Sequence, residues 1–173
     1  QLKMIKSFRN KSPQIPKSCY LSESVDIIGD VILGEDVSIW FGSVIRGDMH
    51  SIIIGDKSNI QDNSTIHVTT GLSSTIIGSE VTIGHGVIVH GANINNQCLI
   101  GMGSIIMDNV VIGEGSIIGA GALLPPNMII PPKSLVVGIP GKIIRTITND
   151  EISMIKERAQ HYIEFSKEYK IQS

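Results

Sequence analysis

Large aliphatic residues return at every sixth position along most of this chain. They stand at Leu21, Ile27, Leu33, Ile39 and Ile45, at Ile54, Ile60 and Ile66, and at Ile77, Ile83 and Val89. A last series runs Ile100, Ile106, Ile112, Ile118, Leu124, Ile130 and Val136. The next position is often glycine, as at Gly34, Gly55, Gly78, Gly84, Gly101, Gly113 and Gly119. The fifth is usually small or β-branched, as at Val31, Val37, Ser58, Ser64, Ser104 and Ser116. Six is neither the 3.6 of an α-helix nor the alternation of an ordinary strand. It sets one large and one small inward residue around a bend, where glycine eases the backbone. The expected fold is all-β, a left-handed parallel β-helix of hexapeptide repeats in which three hexads make one triangular coil. The 18 hexads make about six coils.

The repeat breaks three times. There are 3 extra residues between Ile45 and Ile54 and 5 between Ile66 and Ile77. Between Val89 and Ile100 one degenerate hexad, Asn95 to Leu99, is a residue short. The second break, Thr70 to Ile76, is expected as a small loop ejected from a prism edge. After Arg145 the pattern turns helical. Thr148 to Glu151 reads as a capping box, followed by an apolar stripe of Ile152, Ile155, Ala159, Tyr162, Ile163 and Tyr169. The expected organisation is a lead-in over 1–19, the β-helix over 20–145, and a helix over 146–173 covering a flank of the prism.

Composition narrows the function more than the fold. Only 7 residues are aromatic against 18 glycines, which suits thin aliphatic layers. A net charge of −2 gives no footprint for nucleic acid or an anionic membrane. No apolar run approaches the ~20 residues of a membrane span, and the first nine residues lack the apolar segment of a signal peptide. Cys19 and Cys98 form no disulfide framework and are expected as buried or half-buried thiols. The expected setting is soluble and cytoplasmic.

The histidines fall into columns. Hexads three apart share a prism edge, so those starting at Ile45, Ile66 and Val89 stack and carry Arg46, His67 and His90 at their second positions. Strands stack at ~4.8 Å, which lets the two imidazoles meet one metal ion. His85 belongs to another edge, above Asp62 and beside Gln61. Five extended residues from His85 to His90 span up to ~17 Å. A common metal therefore calls for a second copy, and three-fold closure of a homotrimer would join Arg46, Asp48, His67 and His90 of one chain to Gln61, Asp62 and His85 of the next. His50 and His161 fall outside the columns and read as ordinary. Trp40 reads as packing. Tyr162 reads as helix-face packing, with a lesser claim on the site.

These residues resemble the γ-class carbonic anhydrases and their relatives, some of which carry the label ferripyochelin-binding protein. The resemblance lies in Arg46-Gly47-Asp48, Asn59-Ile60-Gln61-Asp62, the isolated His67, Gly84-His85 and His90-Gly91, and covers about Tyr20 to Tyr169. It implies that His67, His85 and His90 are metal ligands and that Gln61 orients metal-bound solvent. It further implies an Arg46–Asp62 ion pair across the subunit boundary, supported by Asp48. The sequence also departs from the family's archetype. Met49 stands where that archetype has a glutamate, and the segment after His67 lacks the longer acidic loop thought to carry protons.

Three neutral imidazoles leave open positions on a metal, as in catalytic zinc sites. Zinc is the default, and iron(II) or cobalt also fits. Such a cation makes hydroxide available at neutral pH, ready to attack carbon dioxide and give bicarbonate. Two rivals remain: a hexapeptide acyltransferase using acyl-coenzyme A, and a non-enzymatic metal-binding scaffold.

Overall fold

A computed structural model describes residues 3–172. The repeat folds as a triangular prism of short parallel strands. One face holds Tyr20–Leu21, Ser38–Ile39, Asn59–Ile60, Thr82–Ile83, Leu99–Ile100, Ile117–Ile118 and Ser134–Val137 in stacked register. The other two faces form one continuous sheet, because Asp26–Leu33 and Val44–Ile54 run around the corner between them. That first face opens and closes the prism and so has seven rungs, against the six coils counted from the hexads.

The inward aliphatics carry the core: Ile27, Ile45, Ile66, Val89 and Ile106 are fully buried. Each withdraws its apolar side chain from water, worth roughly 1.5–3 kcal/mol per residue. The small inward residues serve the corners. The Ser64 hydroxyl donates to the Gly84 carbonyl at 2.9 Å and accepts from the Val87 amide at 3.1 Å. A buried bend thus keeps its backbone satisfied.

The three breaks resolve differently from one another. The extra residues after Ile45 are not ejected but stay in the strand Val44–Ile54, whose register against Asp26–Leu33 shifts between Gly29 and Val31. The backbones close tightly there. A Cβ on Gly29 would lie 2.3 Å from the Gly47 carbonyl oxygen, and one on Gly47 would lie 2.5 Å from that of Asp30. The second break forms loop 68–74, whose first residue, Val68, stays buried in the core; a bridge between Thr69 and Ser73 closes the loop, and Thr75–Ile77 rejoins the sheet. The expected loop therefore ends earlier than Ile76. The short hexad is not Asn95 to Leu99 as expected: fully buried Ile94 pairs with Ile77 and Ile112, so Ile94 to Leu99 is a complete hexad and the missing residue falls between Val89 and Ile94.

Helix α1 (Asn149–Gln172) follows an antiparallel edge strand, Lys142–Thr146. Its capping box forms: Glu151 accepts from the Thr148 amide at 2.7 Å, and the Thr148 hydroxyl accepts from the Glu151 amide at 3.2 Å. Ile155, Ala159 and Ile163 are buried against the seven-rung face. Beside them Trp40 stacks on Phe165 at 5.5 Å and meets Tyr162 and Tyr169 edge-on. No helix among the described residues is long and apolar enough to cross a membrane. Cys98 is buried and Cys19 half-buried, and burial pushes each thiol up to about 11.

Candidate metal site

Parallel pairing at the end of Thr65–His67 and Ile88–His90 sets His67 directly against His90. The same register pairs Ile45 with Ile66, which brings Arg46 to the rung beside His67. The two imidazole centroids lie 5.0 Å apart, with His67 Nδ1 at 3.1 Å from His90 Nε2.

Each ring turns its other nitrogen to a carboxylate. His67 Nε2 lies 2.9 Å from Asp48 Oδ1, and Arg46 donates to the other oxygen of Asp48. His90 Nδ1 lies 3.3 Å from Asp108 Oδ1, which also accepts from the Ser73 hydroxyl at 3.1 Å. Burial pushes the Asp48 carboxyl up, but hydrogen bonds from His67 and Arg46 outweigh it and hold the group below its ordinary value. Asp108 is lowered in the same way, with burial offset by hydrogen bonds from Thr69, His90 and Ser73.

His85 stands apart with Asp62. Its Nδ1 lies 3.0 Å from Asp62 Oδ2, and its side chain is 52% exposed. Buried Gln61 adjoins them; its Nε2 donates to Asn59 Oδ1 at 3.1 Å, and Asn59 in turn donates to Thr82 at 3.0 Å. Tyr162 joins this second cluster across a groove of about 370 Å³ lined by Gln61, His85, Leu99, Met102, Arg158 and Tyr162. Burial first, and then the charge of Asp62, raise the Tyr162 hydroxyl.

The sequence-derived candidates thus form two clusters on one chain: Arg46, Asp48, His67 and His90, and Gln61, Asp62, His85 and Tyr162. Among the described residues no group of three or more His, Cys, Asp or Glu side chains converges within one chain on a point where a metal ion would sit. Arg46, expected to pair with Asp62 of another copy, is engaged within its own chain by Asp48. The sequence reading missed Asp108 and Ser73. The available signal was positional, since Asp108 stands two past Ile106, the residue that pairs with Val89 beside His90.

The donor chemistry fits a cation. A neutral imidazole has one N–H and one lone pair. When each ring donates its N–H to its carboxylate, the two facing nitrogens present lone pairs to each other and need positive charge between them. Two nitrogens on one tetrahedral zinc stand about 3.4 Å apart, near the spacing found here. The carboxylate–imidazole pairing is also the usual support of a ligating histidine.

The hexapeptide prism defines the class of protein, and comparisons agree with it. Residues 91–126 match the family model described as bacterial transferase hexapeptide (six repeats). The chain is 49% identical over 167 residues to a carbonic anhydrase of Geobacillus kaustophilus, covering 96% of this chain and 91% of that one. It is 37% identical to gamma carbonic anhydrase 2, mitochondrial, of Arabidopsis thaliana, over 91% of this chain and 59% of the plant protein. A crystal structure of a Bacillus cereus protein labelled an acetyltransferase superposes with a TM-score of 0.97 at 42% identity, covering 100% of both chains. The chain belongs to the γ-class carbonic anhydrase family of hexapeptide-repeat proteins.

Proposed function

We propose that the chain assembles as a homotrimer in which His67 and His90 of one copy and His85 of the next hold a divalent metal, and that this site hydrates carbon dioxide to bicarbonate. One observation carries the reading: two carboxylate-backed imidazoles face each other at 3.1 Å while a third waits on a different edge with its own carboxylate. One chain supplies both halves of the set, and cyclic closure joins them.

A divalent cation there supplies Lewis-acid activation of water near neutral pH. Zinc suits three imidazoles, as do iron(II) and cobalt. The protein's own groups do the rest. Asp48, Asp62 and Asp108 fix which nitrogen of each histidine carries the proton. Gln61 is held by Asn59 through one N–H, leaving its carboxamide oxygen to accept from the attacking water and aim its lone pair at carbon dioxide. Leu99 and Met102 give the groove beside His85 an apolar wall suited to an uncharged linear substrate. The carboxylates at the site, Asp48, Asp62 and Asp108, are each engaged by a histidine rather than held ready to carry the proton out. Met49 is exposed and apolar, and loop 68–74 carries no acidic residue. Proton release therefore falls to buffer.

Acyl transfer is the second reading, favoured by the acetyltransferase label of the Bacillus cereus structure. Metal analysis followed by two assays separates the readings. Carbon dioxide hydration with about one metal per chain supports the proposal. Turnover of acetyl-coenzyme A without bound metal would replace it, and bound metal with neither activity would leave a scaffold.

A further inference from the structure

His90 is tied to a segment that the proposed reaction otherwise leaves without a role. Loop 68–74 leaves the prism after the buried Val68 and returns at Thr75, closed by the bridge between Thr69 and Ser73. From it the Ser73 hydroxyl reaches Asp108, 35 residues further along the chain, at 3.1 Å. The same Asp108 oxygen lies 3.3 Å from His90 Nδ1, and the Thr69 hydroxyl lies 3.4 Å from that nitrogen. The cluster is packed to the limit of the backbone. A Cβ on Gly91, whose φ is +65°, would fall 2.2 Å from both Asp108 Oδ1 and Ser73 Oγ.

We propose that Asp108 is a positioning residue for His90, latched by Ser73, so that loop 68–74 fixes the orientation and tautomer of a metal-ligating imidazole. The inference rests on the reading of His90 as a ligand. With Nδ1–H committed to Asp108, the lone pair is left on Nε2, the nitrogen that faces His67. An imidazole free to rotate or to exchange tautomers would present that lone pair only part of the time. Metal affinity would fall with the fraction lost.

Asp108→Asn keeps the shape and removes the charge. Zinc affinity, measured by competition with a chromophoric chelator, is expected to fall 10–100-fold, the usual cost of losing an outer-shell partner. Long-range ¹H–¹⁵N spectra of the metal-free protein are expected to move His90 from a single Nδ1–H form to a mixture. Ser73→Ala is expected to shift both readouts the same way by a smaller factor, and decides the matter should Asp108→Asn fail to fold. Unchanged affinity and an unchanged His90 tautomer would overturn the proposal, as would a lowered melting temperature with the tautomer intact. Wild-type protein that binds no zinc would count against the proposed function, while the tautomer measurement would still decide this inference.

Discussion

His67 Nδ1 faces His90 Nε2 across 3.1 Å, and the two rings are held from behind by carboxylates on different turns, Asp48 and Asp108. In the proposed site the pair supplies two of the three ligands, and the third, His85, is backed by Asp62 on another edge of the same prism.

Arg46 is expected to matter for assembly more than for chemistry. Its guanidinium holds Asp48 while the side chain remains 43% exposed in one chain, open to a second carboxylate such as Asp62 of a neighbouring copy. Removing one member of an ion pair buried at a subunit boundary typically costs ~3–5 kcal/mol. Arg46→Ala should therefore dissociate at micromolar concentration in sedimentation experiments. An unchanged trimer with an unchanged melting curve would refute this.

The N-terminus of α1 is expected to loosen in acid. Hydrogen bonds from Arg145, and then from the Thr148 amide, hold the Glu151 carboxyl at about 2, below its ordinary 4.5. A depressed carboxyl adds stability above its unfolded pKa, and loses it as pH falls from about 4.5 through about 2. Glu151→Gln should thus lower the urea midpoint at pH 7 and leave it nearly unchanged near pH 2. An equal gap at both pH values would show that the pair contributes nothing through its charge.

Much of this architecture was legible because the hexad rule acts residue by residue: inward aliphatics must lie in register, so counting hexads stacked His67 on His90 and Asp62 on His85. What escaped the count did so for physical reasons. Ile94 sits only five residues after Val89, so its buried rung broke the period that revealed the others. The residues after Ile45 read as an interruption, yet close glycine packing at Gly29 and Gly47 lets the strand absorb them. Asp108 and Ser73 meet through a loop whose path no periodicity sets. His85 was placed off the first column by spacing alone, and the one-chain structure keeps it there.

Proton release is expected to limit turnover in dilute buffer. Met49 lies beside Asp48 and His50 in a cavity of about 230 Å³, where a carboxylate would be close to the site and open to solvent. Carbon dioxide hydration by wild type should rise with imidazole buffer concentration. Met49→Glu should raise the rate in dilute buffer and flatten that dependence, within the 10²–10⁴-fold that general acid–base help typically supplies. Equal buffer dependence in both proteins would contradict this account of the proton's exit.

The most direct test of the shared site is complementation. His67→Ala and His85→Ala proteins, each expected to lack bound zinc and activity, are co-expressed in equal amounts and purified as mixed trimers. A site is complete only where a chain retaining His67 and His90 meets a neighbour retaining His85, and a cyclic trimer that holds both variants has one such junction, so each mixed trimer regains one site in three. The account predicts zinc content and carbon dioxide hydration near a third of wild type. Mixed trimers that bind no zinc, while wild type binds about one per chain, would contradict it.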